Sequence, residues 1–141
     1  MPASGRSASP ALELVTSLTE REFEEWDDAV RGRVRFLTFF SGEATSTREL
    51  TTGLGVLPVH GWLGVHRHTA TETYFVLAGT GVVNVHGVDH PVEAGSAVLI
   101  PGDTEHGVRN TGGSELRIFY AFAAHAMSDI EYHFAADDQD G

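Results

Sequence analysis

The sequence has no cysteine, which excludes disulfides, thiol nucleophiles, iron–sulfur clusters and thiolate zinc sites. It has no lysine either, so the nine basic residues are all arginine and Schiff-base chemistry is excluded. Against them stand 20 acidic residues, for a formal net charge of −11. A surface of that sign repels phosphate backbones and anionic membranes, and no basic stripe offsets it. Neither nucleic acid nor a membrane is an expected partner. Long apolar runs are missing as well. The longest, Ile118–Ala124, falls far short of the roughly 20 residues a spanning helix needs. The first ten residues are rich in Ser, Ala, Pro and Gly, and no apolar segment of signal-peptide type follows them, so the cytoplasm is the expected location. What the chain does have is 41% hydrophobic residues in a length of 141, enough for one domain with a core, together with 16 glycines and eight histidines. Without Lys or Cys, those histidines hold most of the ligand and acid–base chemistry available near neutral pH.

Residues 1–16 read as a loose arm, 17–135 as a single domain and 136–141 as an acidic tail. Thr19 and Glu22 are spaced as a capping box, with Leu18 and Phe23 placed for a hydrophobic staple. Phe23, Trp26 and Val30 recur at helical spacing and Gly32 follows, so the pattern predicts a short amphipathic helix over 19–31. From Arg33 on, short apolar stretches alternate with Gly, Pro, Asn and Asp turns. Strands are predicted over 33–40, 51–57, 62–68, 72–77, 82–86, 97–100, 107–110 and 116–122, with a last short one over 130–134. Many short strands at even spacing argue an antiparallel sandwich or barrel.

The chemistry concentrates in two segments. In the run from Gly61 to Gly79, His66 and His68 share one face of a strand, about 7 Å apart along it. A turn at 69–71 folds the next strand back and brings Glu72 and Tyr74 beside them. Two imidazoles and a carboxylate converging from neighbouring strands suit a divalent first-row metal. In the second segment, Gly95 to Asn110, a strand enters a Pro101-Gly102 turn and His106 opens the strand that leaves it. A phenol near a divalent cation also loses its proton below its usual pKa of about 10, which makes Tyr74 a candidate base. His60, His86 and His90 fall at turns or strand ends and read as surface histidines. His125 and His133 have no ligand spacing. Trp62 shares strand parity with His66, and Val76, Val108, Tyr120 and Phe122 are candidates for the pocket wall. Gly79-Thr80-Gly81 and Ser96 read as turn residues rather than a phosphate cradle or a nucleophile.

Together the segments resemble the cupin superfamily, whose motifs are written G-x5-HxH-x3,4-E-x6-G and G-x5-PxG-x2-H-x3-N. His66, His68, Glu72 and Gly79 match the first, with Gly61 one residue too close; Gly95, Pro101, His106 and Asn110 match the second, with Asp103 in place of its second glycine. The resemblance implies an all-β jelly-roll barrel and one divalent transition metal, Fe, Mn, Ni, Co or Zn, held by His66, His68, Glu72 and His106. It also implies a homodimer, paired through the predicted helix and the strand over 33–40. The HxHxxxExY arrangement is similar to that of cupin lyases that cleave dimethylsulfoniopropionate, which implies lyase chemistry on a small organic acid with Tyr74 as the catalytic base. Non-haem Fe(II) dioxygenation and metal-dependent isomerisation or cyclisation are the alternatives within enzymes, and a non-catalytic binding or sensor barrel is the alternative outside them.

Overall fold

A computed structural model describes residues 14–42, 45 and 47–140. Most of the arm expected over 1–16 therefore lies outside the described residues. The chain folds into a curled sheet of eleven strands: β1 (Phe23–Asp28), β2 (Gly32–Phe40), β3 (Thr51–Leu57), β4 (Trp62–Arg67), β5 (Glu72–Ala78), β6 (Thr80–Val85), β7 (Val88–Glu93), β8 (Ala97–Ile100), β9 (His106–Asn110), β10 (Leu116–Phe122) and β11 (His133–Phe134). The sheet runs β7-β6-β9-β4-β2-β3-β10-β5-β8, with β1 added to β2 and β11 to β4, and the described pairings are antiparallel. This is the all-β jelly-roll barrel that the motifs imply.

Strict alternation sets the two faces of each strand. On β5, Glu72, Tyr74 and Val76 are buried while Thr73, Phe75 and Leu77 are exposed. On β10, Leu116, Ile118, Tyr120 and Phe122 point inward. These side chains pack with Val34, Leu57, Val83, Ile100 and Val108 into the main core. Burial of each such aliphatic side chain contributes roughly 1.5–3 kcal/mol.

The largest departure from the sequence-based expectation lies at the N-terminal end. The helix predicted over 19–31 is absent: a single 3₁₀ turn at Leu18–Glu20 precedes β1, which forms a hairpin with β2. The hairpin wins because its turn is built for it. The Asp28 carboxylate accepts the amide protons of Val30 and Arg31, and Gly32 takes φ +112°, a conformation unfavourable to any side chain. Pairing with β2 also turns Trp26 inward opposite Val34. The segment expected to offer a helix to a second copy is thus a strand paired to β2. β7 was not anticipated, because Asp89, His90 and Pro91 are poor strand formers. It is an edge strand, where proline is tolerated, joined to β6 by a turn with His86 and Gly87 both at positive φ. The acidic C-terminal stretch forms a short helix, α1 (Ala135–Asp140).

Candidate metal centre

Three strand ends deliver the site. β4 carries His66 and is followed by His68, β5 opens with Glu72, and β9 opens with His106, which pairs across to His66. His66 and His68 are each 1% exposed, Glu72 3% and His106 0%. Ring centroids lie 4.2 Å apart for His66–His106, 4.9 Å for His68–His106 and 5.5 Å for His66–His68. One ring nitrogen from each histidine falls within 4.8 Å of those of the other two.

The backbone fixes the tautomers. Nδ1 of His66 donates to the Gly64 carbonyl at 2.7 Å, Nδ1 of His68 to Ala70 at 2.9 Å and Nδ1 of His106 to Thr104 at 2.8 Å. A carbonyl only accepts, so Nδ1 of each ring carries a proton, and in the neutral ring Nε2 presents a lone pair. Gly64 makes its contact possible, since a Cβ there would collide with the Val30 carbonyl. Burial, followed by the neighbouring His106, holds the His66 pKa down at about 3, so the ring is neutral.

Glu72 Oε1 lies 3.3 Å from Nε2 of both His68 and His106. None of these three buried atoms has a hydrogen-bond partner among the described residues. Acceptors facing one another in a space closed to water are costly without a cation between them. Their spacing matches donors sharing one ion at bond lengths of about 2.1 Å. A set of three imidazoles and one carboxylate, without thiolate, fits a divalent first-row transition metal and leaves its identity open.

Beside these atoms is a cavity lined by Trp26, Phe36, Leu63, Tyr74, Val108, Tyr120, Phe122, Met127 and Tyr132, together with His66 and Glu72. Among the described residues, no arginine lines it. Tyr74 is the next inward residue after Glu72, its ring centroid 6.3 Å from that of His106. Burial, then the charge of Glu72, raises the Tyr74 pKa well above 10. Of the other wall candidates, Val108, Tyr120 and Phe122 line the cavity and Val76 lies in the core behind it. Trp62 does not line it. The β4–β9 register shifts between Leu63 and His66, so strand parity breaks there and Leu63 turns inward instead. His60, His86, His90, His125 and His133 are exposed, outside the cluster.

Sequence reasoning missed Trp26, Phe36, Met127 and Tyr132. Tyr132 sits 5.3 Å from the His66 ring and 5.7 Å from His68, brought there by the pairing of Phe134 with His66. The short strand predicted over 130–134 was the available clue, but nothing in its sequence says which strand it joins.

The chain matches the cupin domain family over residues 53–122. Dimethylsulfoniopropionate lyase DddW of Ruegeria pomeroyi is 39% identical to it over 109 residues, 77% of this chain and 71% of the relative. The protein is a cupin. This cupin is also 30% identical over 87 residues to an oxalate-binding protein of Thermotoga maritima, covering 61% of this chain and 72% of that one. Among solved structures, the polyketide cyclase RemF of Streptomyces resistomycificus superposes with a TM-score of 0.73 at 14% identity, covering 88% of this chain and 86% of RemF, which is a likeness of fold.

Proposed function

We propose that this cupin is a metal-dependent lyase that removes a β-substituent from a small carboxylate, with dimethylsulfoniopropionate as the first substrate to test. His66, His68, Glu72 and His106 are the proposed ligands and Tyr74 the proposed base. The observation that carries the reading is the position of Tyr74: it is the inward neighbour of Glu72, and its ring faces the same cavity as the His66, His68, Glu72 and His106 cluster. The similarity to DddW points the same way.

A divalent cation held by the four residues would polarise a substrate carboxylate and favour the tyrosinate over the phenol. The chain's own groups do the rest. The aromatic walls exclude water, and the Tyr74 oxygen accepts the proton from the carbon next to the carboxylate. The electrons of that C–H bond form the new C=C bond, and the Cβ–S pair leaves on sulfur, giving acrylate and dimethyl sulfide. Burial and Glu72 both oppose ionisation of Tyr74, so this chemistry requires the metal-loaded protein. Among the described residues the wall holds no arginine, which favours this reading over a dicarboxylate such as oxalate, whose second charge would meet no described cation in the cavity.

The test is acrylate release followed by NMR, beside metal content by elemental mass spectrometry. Tyr74→Phe is expected to keep its metal and lose activity by about 10²-fold or more. An active Tyr74→Phe variant would remove Tyr74 as the base. Oxygen consumption dependent on Fe(II), or ligand-dependent thermal stabilisation without turnover, would replace the lyase reading by a dioxygenase or a binding barrel.

A further inference from the structure

We infer that Glu24 is the specificity-determining residue of this cavity and that it selects carboxylates whose far end is a permanent cation, a sulfonium or quaternary ammonium group. The inference rests on the cavity being the substrate site. In the β1–β2 register Trp26 faces Val34 and Glu24 faces Phe36. Trp26, Val34 and Phe36 all line the cavity, and Glu24, two residues from Trp26, shares its inward face. Glu24 is exposed, which places its carboxylate at the rim rather than in the wall.

The remaining walls suit the same ligand. Phe36, Tyr120, Phe122 and Tyr132 offer ring faces or edges to the cavity, and ring faces attract onium groups. The nearby cations are already engaged. Arg31 lies 5.1 Å over Trp26 but is paired to Asp28 at 2.7 Å, and Arg21 donates to the Phe39 carbonyl. Arg35 stacks on Phe23 and reaches Glu115, on the outer side of the hairpin. Among the described residues lining the cavity none is an arginine, so a ligand carboxylate goes to the His66, His68, Glu72 and His106 cluster, and its other end meets aromatic rings with a carboxylate at the edge.

The probes are dimethylsulfonioacetate and 3-methylbutanoate, which share one heavy-atom shape and differ by the positive charge. Neither can undergo the elimination, having no leaving group β to the carboxylate. Binding is read on the metal-loaded protein by tryptophan fluorescence, Trp26 being in the wall. The wild type is expected to prefer the sulfonium acid. Glu24→Gln should cut that preference about three- to ten-fold while leaving 3-methylbutanoate unchanged, and the preference should shrink with salt. Glu25→Gln, on the opposite face of the same strand, should leave the ratio intact. No preference in the wild type, an unchanged ratio in Glu24→Gln, or an equal loss in Glu25→Gln overturns the inference. Failure of the wild type to bind either acid overturns the inference and the substrate-site reading together. A Glu24-dependent preference without acrylate release from dimethylsulfoniopropionate supports the inference and overturns the lyase reading alone.

Discussion

Glu72 faces two ring nitrogens that carry no proton when the rings are neutral. Its Oε1 is 3.3 Å from Nε2 of His68 and of His106, and the Nδ1 protons of both rings are committed to backbone carbonyls. An amide at this position would reverse the local sign, because its NH₂ group donates where the carboxylate only accepts. Glu72→Gln is therefore expected to make the metal-free protein more stable, by about 1–2 kcal/mol for buried hydrogen bonds regained, and to abolish stabilisation by added metal. Calorimetry with and without chelator checks both halves; a lower melting temperature for the metal-free variant would refute the account. The departures from the family motif also belong to this scale. His60 stands where the first motif has its opening glycine and Asp103 where the second has its second glycine, and both adopt positive φ, +67° and +58°. The motif glycines encode a left-handed turn rather than an absence of side chain, and His and Asp are among the residues that tolerate it. The convergence of His66, His68, Glu72 and His106 was legible despite these substitutions because neither alters what the strands bring together.

Among the elements, the strands of the barrel were legible and the hairpin at its mouth was not. Strands over 51–57, 97–100 and 116–122 fall where alternation and turn residues put them. β1 did not, because Phe23, Trp26 and Val30 satisfy a helical period equally well and the local sequence holds no record of β2 as a partner. Only tertiary pairing separates the alternatives, and with it went Trp26 and Phe36 as residues of the cavity wall. The hairpin turn depends on Asp28, whose pKa is lowered to about 2 chiefly by the Arg31 amide, then by the Arg31 side chain. A carboxylate with a depressed folded-state pKa stabilises fully above its unfolded value of 3.8, and that contribution disappears as pH falls through about 2. Asp28→Ala should accordingly lower the melting temperature at pH 7 and show a shrinking difference from wild type between pH 4 and pH 2, as followed by circular dichroism. A difference that persists undiminished at pH 2 would show that the charge of Asp28 is not what holds the turn.

At the scale of the whole molecule, Glu72 comes from a part of the barrel that no described strand pairing joins directly to the part that brings His66, His68 and His106. β9 and β4 are neighbours in the sheet, but β5 lies four strands further along the order β4-β2-β3-β10-β5. His66, His68 and His106 come from the first wall and Glu72 from the second, meeting across the interior. A cation bound by all four would tie the two walls together and remove the clash of acceptors between them, so metal binding and barrel stability are linked. Metal at about a hundred times its dissociation constant should add about 2.7 kcal/mol, read as a rise in melting temperature of several degrees. The gain should be distributed unevenly: hydrogen exchange ought to slow in β4, β5 and β9 and change little in β6 and β7, whose hairpin reaches the outer edge of the sheet. Protection confined to β4 and β9 would mean that Glu72 is not a ligand and that the walls remain joined only through the sheet. Protection appearing in β5 as well, and lost in Glu72→Gln, would place the carboxylate on the ion without recourse to any activity.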